Sequence, residues 1–236
     1  GVTEPDAGLD TGSIRTRADK TKKGYLVTGQ KIWTSTAQVS DKILLLARTS
    51  QPSSSARRTD GLTLFYTNLD QRFVEVREIE KMGRAAVDSN QLYIDGLTVP
   101  QEDRIGEEGK GFSYLLDSLN PERILIAAEA LGIGKTALQR AVDYAGERIV
   151  FDRPIGKNQG IQHPLAECWI ELEAASLLIA KAAFLYDTGA PAGGLANAAK
   201  YFAAEAGFKA ATQAVMTFGG MGYAKEYHVE RLLRES

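Results

Sequence analysis

The chain has 236 residues, 44% of them hydrophobic and 25% charged, enough for one large domain or two small ones with a real core. Its formal net charge of −2 gives no electrostatic reason to seek nucleic acid or an anionic membrane as partner. One cysteine, Cys168, excludes an intramolecular disulfide and fits a reducing compartment, and no apolar run reaches membrane-spanning length.

Nothing in the opening residues reads as a signal peptide. The chain opens at Gly1 rather than Met and stops at Ser236 with no obvious end signal, which reads as a piece of a longer protein. Residues 1–100 are strand-like. "GYLVTG" and "KIWTST" are short β-prone runs separated by Gly29-Gln30, and "KILLLAR" is a continuous apolar run of strand length. "LTLFYTNL" places Leu62, Leu64 and Tyr66 on one face, and "FVEVREIE" places Val74, Val76 and Glu78 on one side. "QLYIDGLTV" alternates again, up to Pro100, and "SQPSSSARRTDG" reads as a polar loop. The pattern predicts an antiparallel barrel or sandwich.

After residue 105 the period changes. "EEGKGFSYLLDSL" turns through glycines into a short helix, and a long helix is expected from Pro121 to Ile149. A second runs from Pro164 to Tyr186 with a stripe of Leu165, Trp169, Leu172, Ser176, Ile179 and Ala183. An alanine-rich helix follows from Leu195 to Phe218, "GGMG" interrupts, and "EYHVERLLRES" begins a last one. The many small residues imply close helix packing, so the fold class is α+β: an antiparallel β domain over 1–104, then an antiparallel four-helix-bundle-type domain over 105–236, incomplete.

"GIGKT" at 132–136 imitates the end of a phosphate-binding loop but lies inside a helical pattern, which excludes it. His163 and His228 are too few and too far apart in sequence for a metal site, and each reads as a surface or helix-end residue. "ERIVFDRPIG" sets Arg148 and Arg153 around an aromatic. Favourable charge at a helix C-terminus explains it, and an arginine fork for a pyrophosphate explains it too. "LNPERILIAAEALGIG" carries Glu122 and Glu129 seven residues apart, on nearly one helical face. Asn120 as a cap, Pro121 at the first position and Glu122 in the first turn would account for "NPE" without chemistry. A catalytic base is the alternative, and the residues alone leave the two open.

Five stretches taken together resemble the acyl-CoA dehydrogenase flavoenzymes in order and spacing: "VTEPDAGLDTGSI", "GQKIWTS", "ERILIAAEALGIG", "ERIVFDRPIGKNQGIQHPLAE" and "FGGMGYAKEYHVERLLRE". The resemblance covers essentially the whole chain. It implies a middle β domain plus most of a C-terminal helical bundle, with the family's N-terminal helical domain absent from this chain. FAD is the implied cofactor and an acyl-CoA thioester the implied substrate. An electron-transfer flavoprotein is the implied acceptor and a dimer or tetramer the implied assembly. The implied compartment is the cytoplasm of a prokaryote or the mitochondrial matrix of a eukaryote.

By that resemblance Val2 and Thr3 bond the flavin ring edge, Trp33 lies against the ring, and Ser35 sits near its N5. Arg148, Phe151 and Gln159 match residues that reach the FAD of a neighbouring subunit, which tips the arginine question toward the pyrophosphate. Gly219 and Gly220 match a close backbone approach to the same cofactor. Asn120 and Arg123 match positions near the CoA part of the substrate channel. Leu9 stands where the family usually has a serine, and Met216 where many members have glutamine near the adenine. Glu122 matches the base in a subset similar to the isovaleryl- and long-chain-specific enzymes, while Glu129 matches no known base. The implied reaction removes the α-proton and passes a β-hydride to flavin N5, giving a trans-2-enoyl-CoA. An oxidase-type flavoenzyme and a non-catalytic acyl-CoA or flavin binder are the alternatives.

Overall fold

The structure, a computed structural model, describes residues 1–52 and 57–236, so part of the polar loop expected over 50–61 lies outside the described residues. It divides into two compact units, Gly1–Ser118 and Leu119–Ser236.

The first unit is built on a seven-stranded sheet. In chain order its strands are β1 (Arg17–Thr21), β2 (Gly24–Ser35), β3 (Lys42–Arg48), β4 (Leu62–Asn68), β5 (Val74–Glu78), β6 (Ser89–Pro100) and β7 (Arg104–Ile105). Their spatial order is β5-β6-β2-β1-β3-β4-β7. The pairings are antiparallel except for a single parallel register, Arg17 beside Arg48. Six strands feed one core that includes Ala18, Tyr25, Leu45, Phe65, Val74 and Leu97. Tyr25 and Phe65 meet edge to face there, at 4.9 Å between centroids.

Three details depart from the sequence reading. "GYLVTG" and "KIWTST" are one strand: Gly29 pairs with Ile94 next to a bulge on β6, where Asp95 and Gly96 face Thr28, and is not a turn. A Cβ at Gly29 would stand 2.5 Å from Thr16 Oγ1, so glycine serves a close approach between chain segments. β4 does not alternate cleanly, because Leu62 to Phe65 are all buried while Tyr66 is exposed and takes the Lys42 ammonium over its ring. β1 was not expected; of its residues Arg-Ala-Asp-Lys-Thr only Ala18 is buried, so hydrophobic periodicity had nothing to read.

The second unit is helical. α1 (Gly111–Glu147) begins in the first unit and continues into it, α2 spans Gln159–Asp187, α3 spans Gly193–Phe218 and α4 spans Val229–Glu235. Two cores run through the unit. One gathers Leu138, Leu165, Cys168, Leu172 and Phe218; the other gathers Ile124, Ala127, Ala175, Ala182 and Ala199. α3 presents Ala196, Ala199, Ala203, Ala206, Gly207, Ala210 and Ala214 inward, a small-residue stripe that lets backbones come close. At the tightest point a Cβ on Gly134 would lie 2.8 Å from Gly207 Cα, and one on Gly207 would lie 2.6 Å from the Ala130 carbonyl. The glycines of "GIGKT" therefore belong to α1, as the helical pattern implied, and Gly134 is there for packing. On α2 Leu165 and Leu172 are buried as expected, but Trp169 is 59% exposed and Cys168 holds the inward position beside it.

Candidate functional site

Within the first unit, residues 1–7 form no strand. They are laid along the sheet by single contacts: the Leu46 amide donates to the Gly1 carbonyl, and the Ile32 amide donates to the Thr3 carbonyl at 2.9 Å. That second bond sets Thr3 beside Ile32, one residue from Trp33. The β2–β6 register jumps from Lys31 opposite Leu92 to Thr34 opposite Asn90, so Ile32 and Trp33 together face the single residue between them. Trp33 takes φ 63° at this bulge and its side chain is 57% exposed. A bulky residue at positive φ is a strained arrangement, and here it turns an indole out of the sheet. Ser35 ends β2 opposite Ser89 and is exposed. The structure thus sets Val2 and Thr3 beside the stretch of β2 that carries Trp33, with Ser35 two residues further along the same strand. Leu9 stands wholly exposed in the following loop.

Beneath that stretch lies a pair without an assigned role in the sequence reading. Lys31 has no exposed side-chain surface, and its Nζ donates to Glu4 Oε1 and to the Val2 carbonyl, both at 2.9 Å. Glu4 also accepts from the Thr16 amide at 2.9 Å and the Arg15 amide at 2.6 Å. Burial lowers the Lys31 ammonium from 10.5 to about 8, with the Glu4 carboxylate pulling the other way. Burial alone would raise the Glu4 carboxyl; the Lys31 charge and the hydrogen bonds from Thr16, Arg15 and Lys31 outweigh it and hold the group below 4.5. The signal for this pair was in the sequence: a lysine at the inward parity of a strand whose Tyr25 and Val27 are core residues.

In the second unit the expectation that Asn120 caps a helix is overturned. Asn120 and Pro121 lie inside α1, which begins at Gly111. The Asn120 side-chain oxygen accepts from Arg123 Nη1 at 3.0 Å instead of capping a helix. Pro121 removes one backbone donor from the helix but does not end it. Glu122 is exposed, and among the described residues it makes no hydrogen bond or ion pair, so neither a cap nor a partner accounts for it.

The remaining candidates gather at one end of the helical unit. After α1 the chain makes a tight hairpin, β8 (Ile149–Val150) and β9 (Arg153–Pro154), which the sequence reading took for a plain helix end. Its two turn residues, Phe151 and Asp152, both have positive φ, 53° and 59°. This turn geometry favours Asn and Gly, so Phe-Asp gave no signal. Phe151 stands 94% exposed at the tip. Arg153 is engaged, donating to Asn158 Oδ1 at 2.6 Å, whereas the Arg148 guanidinium is exposed and has no partner among the described residues. Gln159 opens α2 close by: a Cβ on Gly156 would meet the Ala145 carbonyl at 2.9 Å. Tyr144 stacks on Phe218 and brings the end of α3 to the end of α1. Gly219 follows with φ 59° and ψ −133°, a region open only to glycine. A Cβ on Gly219 or Gly220 would meet nothing within 4 Å in this chain, so their bareness serves no internal contact. Met216 is 69% exposed on the last turn of α3.

His163 and His228 are exposed, the first on α2 and the second just before α4. Among the described residues no group of three metal-binding side chains forms, and no helix is long and apolar enough to cross a membrane.

The first unit is a seven-stranded sheet with an outward tryptophan at a bulge, and the second is a helical unit with a bare glycine turn and an arginine unpaired among the described residues. Residues 1–97 match the acyl-CoA dehydrogenase middle domain family, and residues 109–236 match its C-terminal domain family. The chain belongs to the acyl-CoA dehydrogenase family. It is 40% identical over 236 residues to an acyl-CoA dehydrogenase of Bacillus subtilis, covering 100% of this chain and 61% of that protein. The structure of butyryl-CoA dehydrogenase from Megasphaera elsdenii superposes with a TM-score of 0.93 at 36% identity, covering 99% of this chain and 61% of that one. A structure described as the FAD complex of PigA superposes with a TM-score of 0.92 at 26% identity, covering 98% and 60%. This chain thus spans less than two thirds of each of these relatives.

Proposed function

We propose that the complete protein is an FAD-dependent acyl-CoA dehydrogenase that oxidises the Cα–Cβ bond of an acyl-CoA thioester to a trans-2-enoyl-CoA. Family membership over both domains, residues 1–97 and 109–236, is the observation that carries this reading. The residues present fit a flavin dinucleotide. Val2, Thr3, Trp33 and Ser35 supply backbone donors and acceptors, a flat aromatic face and a hydroxyl. Arg148, Phe151, Gln159 and the Gly219–Gly220 turn supply an exposed guanidinium, an exposed ring and uncovered backbone for the dinucleotide of a second copy. Leu9 offers no side-chain hydrogen bond there; only its backbone can contribute. FAD, when bound, supplies the hydride acceptor.

Glu122 is the base that takes the α-proton. A thioester α-proton is weakly acidic, so the carboxylate must lose its water before it can act near neutral pH. Among the described residues Glu122 carries no partner, which leaves it available for that task, and an acyl chain seated against it would expel the water. Asn120 and Arg123, hydrogen-bonded to each other, are positioned as a pair to meet the CoA portion. Electrons leave to an electron-transfer flavoprotein, and the assembly is a homo-oligomer. The test is anaerobic titration of the complete, flavin-loaded protein with a panel of acyl-CoAs. The unmodified protein bleaches with one chain class, while Glu122→Gln keeps its flavin and loses bleaching by at least about a hundredfold in rate. Undiminished bleaching in Glu122→Gln removes Glu122 from the role, and no bleaching with any acyl-CoA removes the dehydrogenase reading.

A further inference from the structure

We propose that the buried Lys31–Glu4 ion pair is the positioning device for the flavin-facing edge of the first unit, holding Val2 and Thr3 against the Trp33 bulge without touching the cofactor. The inference rests on the flavin reading above and adds two residues to it.

Residues 1–7 lie outside every strand, so no ladder fixes them. Their backbone is held to the sheet by the Gly1–Leu46 and Thr3–Ile32 bonds and folded on itself by the reciprocal Glu4–Ala7 pair. Lys31 adds the contact between those points, from its Nζ to the Val2 carbonyl. Glu4 then ties the same ammonium to the Arg15 and Thr16 amides. Three chain segments are joined through two side chains. Lys31 is also the last regularly paired residue before the bulge that turns Trp33 outward. One side chain therefore sets both sides of the edge: the carbonyl of Val2 and the entry to Trp33.

Stability alone does not account for such a pair. Two charges removed from water lose hydration that an apolar pair of similar volume would never need, and such replacements are often neutral or stabilising. What apolar residues lack is direction. A lysine donates along fixed lines to named acceptors, and a carboxylate accepts from two amides at once. Because Lys31 has no exposed side-chain surface, it acts on a ligand only through Val2 and the bulge.

The test uses the complete protein. In Lys31→Met/Glu4→Gln both charges are removed together, so no unpaired charge stays buried. Glu4→Gln alone keeps the shape but leaves the Lys31 ammonium buried without its counter-charge and sets an amide NH2 among donors, so it is the harsher variant. The control is Val74→Ala, which loosens the same core on β5 without touching residues 1–7. Flavin dissociation constants, the visible absorption envelope of bound flavin and amide exchange at Ile32 are measured for each. The double variant is expected to bind flavin at least about tenfold more weakly, with a shifted envelope and faster Ile32 exchange, and Glu4→Gln to move the same way by at least as much. Flavin affinity and envelope that match the control in both variants overturn the positioning role. An unmodified complete protein that neither carries nor takes up flavin overturns the flavin reading, and this inference with it.

Discussion

Tyr144 of α1 stacks on Phe218 of α3 with ring centroids 4.0 Å apart and planes 15° from parallel, and Tyr227 meets both rings edge-on. This three-ring cluster closes the end of the helical unit where Arg148 and Gly219 sit. Phe218 is 7% exposed, so removing its ring opens a cavity and deletes two aromatic contacts. Phe218→Ala is expected to lower unfolding free energy by about 3–5 kcal/mol. Phe218→Leu, which refills most of the volume, should cost about 1–2 kcal/mol. Urea unfolding followed by far-UV circular dichroism checks both; equal losses for the two would mean that the ring contributes no more than its bulk.

Two glycines of the helical unit respond to alanine in opposite directions. Gly132 lies on α1 with nothing within 4 Å of its added methyl, so Gly132→Ala gains helix propensity, about 1 kcal/mol. A Cβ on Gly207 would stand 2.6 Å from the Ala130 carbonyl oxygen, so the site cannot accept one without moving α3 from α1. Gly207→Ala should lose about 1–3 kcal/mol despite the same propensity gain. Thermal unfolding midpoints that rise for the first and fall for the second are expected. A rise for both would mean that the helices separate at little cost.

The helices were legible because their apolar and small residues repeat over long windows, and the alanine stripe of α3 names its own inward face. Local signals misled where tertiary structure overruled them. Pro121 reads as a helix start, yet α1 begins ten residues earlier, at Gly111, and runs through the missing hydrogen bond. Gly29-Gln30 reads as a turn, yet the strand continues because the glycine is needed against Thr16. The Phe151-Asp152 turn was invisible, since its geometry is held in residues that disfavour it. Of the candidate site, the order of motifs was readable, but the Lys31–Glu4 pair required the strand parity to be read against charge.

That pair also makes an acid limb. The Glu4 carboxyl is held below 4.5 in the folded chain, where burial is outweighed by Lys31 and the Thr16 and Arg15 donors. The unfolded chain therefore binds this proton more readily than the folded one. Stability from Glu4 is fully present above 4.5 and is lost as pH falls through the lowered folded value. Glu4→Gln cannot titrate, so it starts less stable near neutral pH but lacks this limb. Measured by urea midpoints between about pH 6 and pH 3, the unmodified chain should fall more steeply and the two curves should converge at the acid end. Curves that stay parallel would mean that Glu4 binds its proton equally in both states, and that the donors around it do no more than water does.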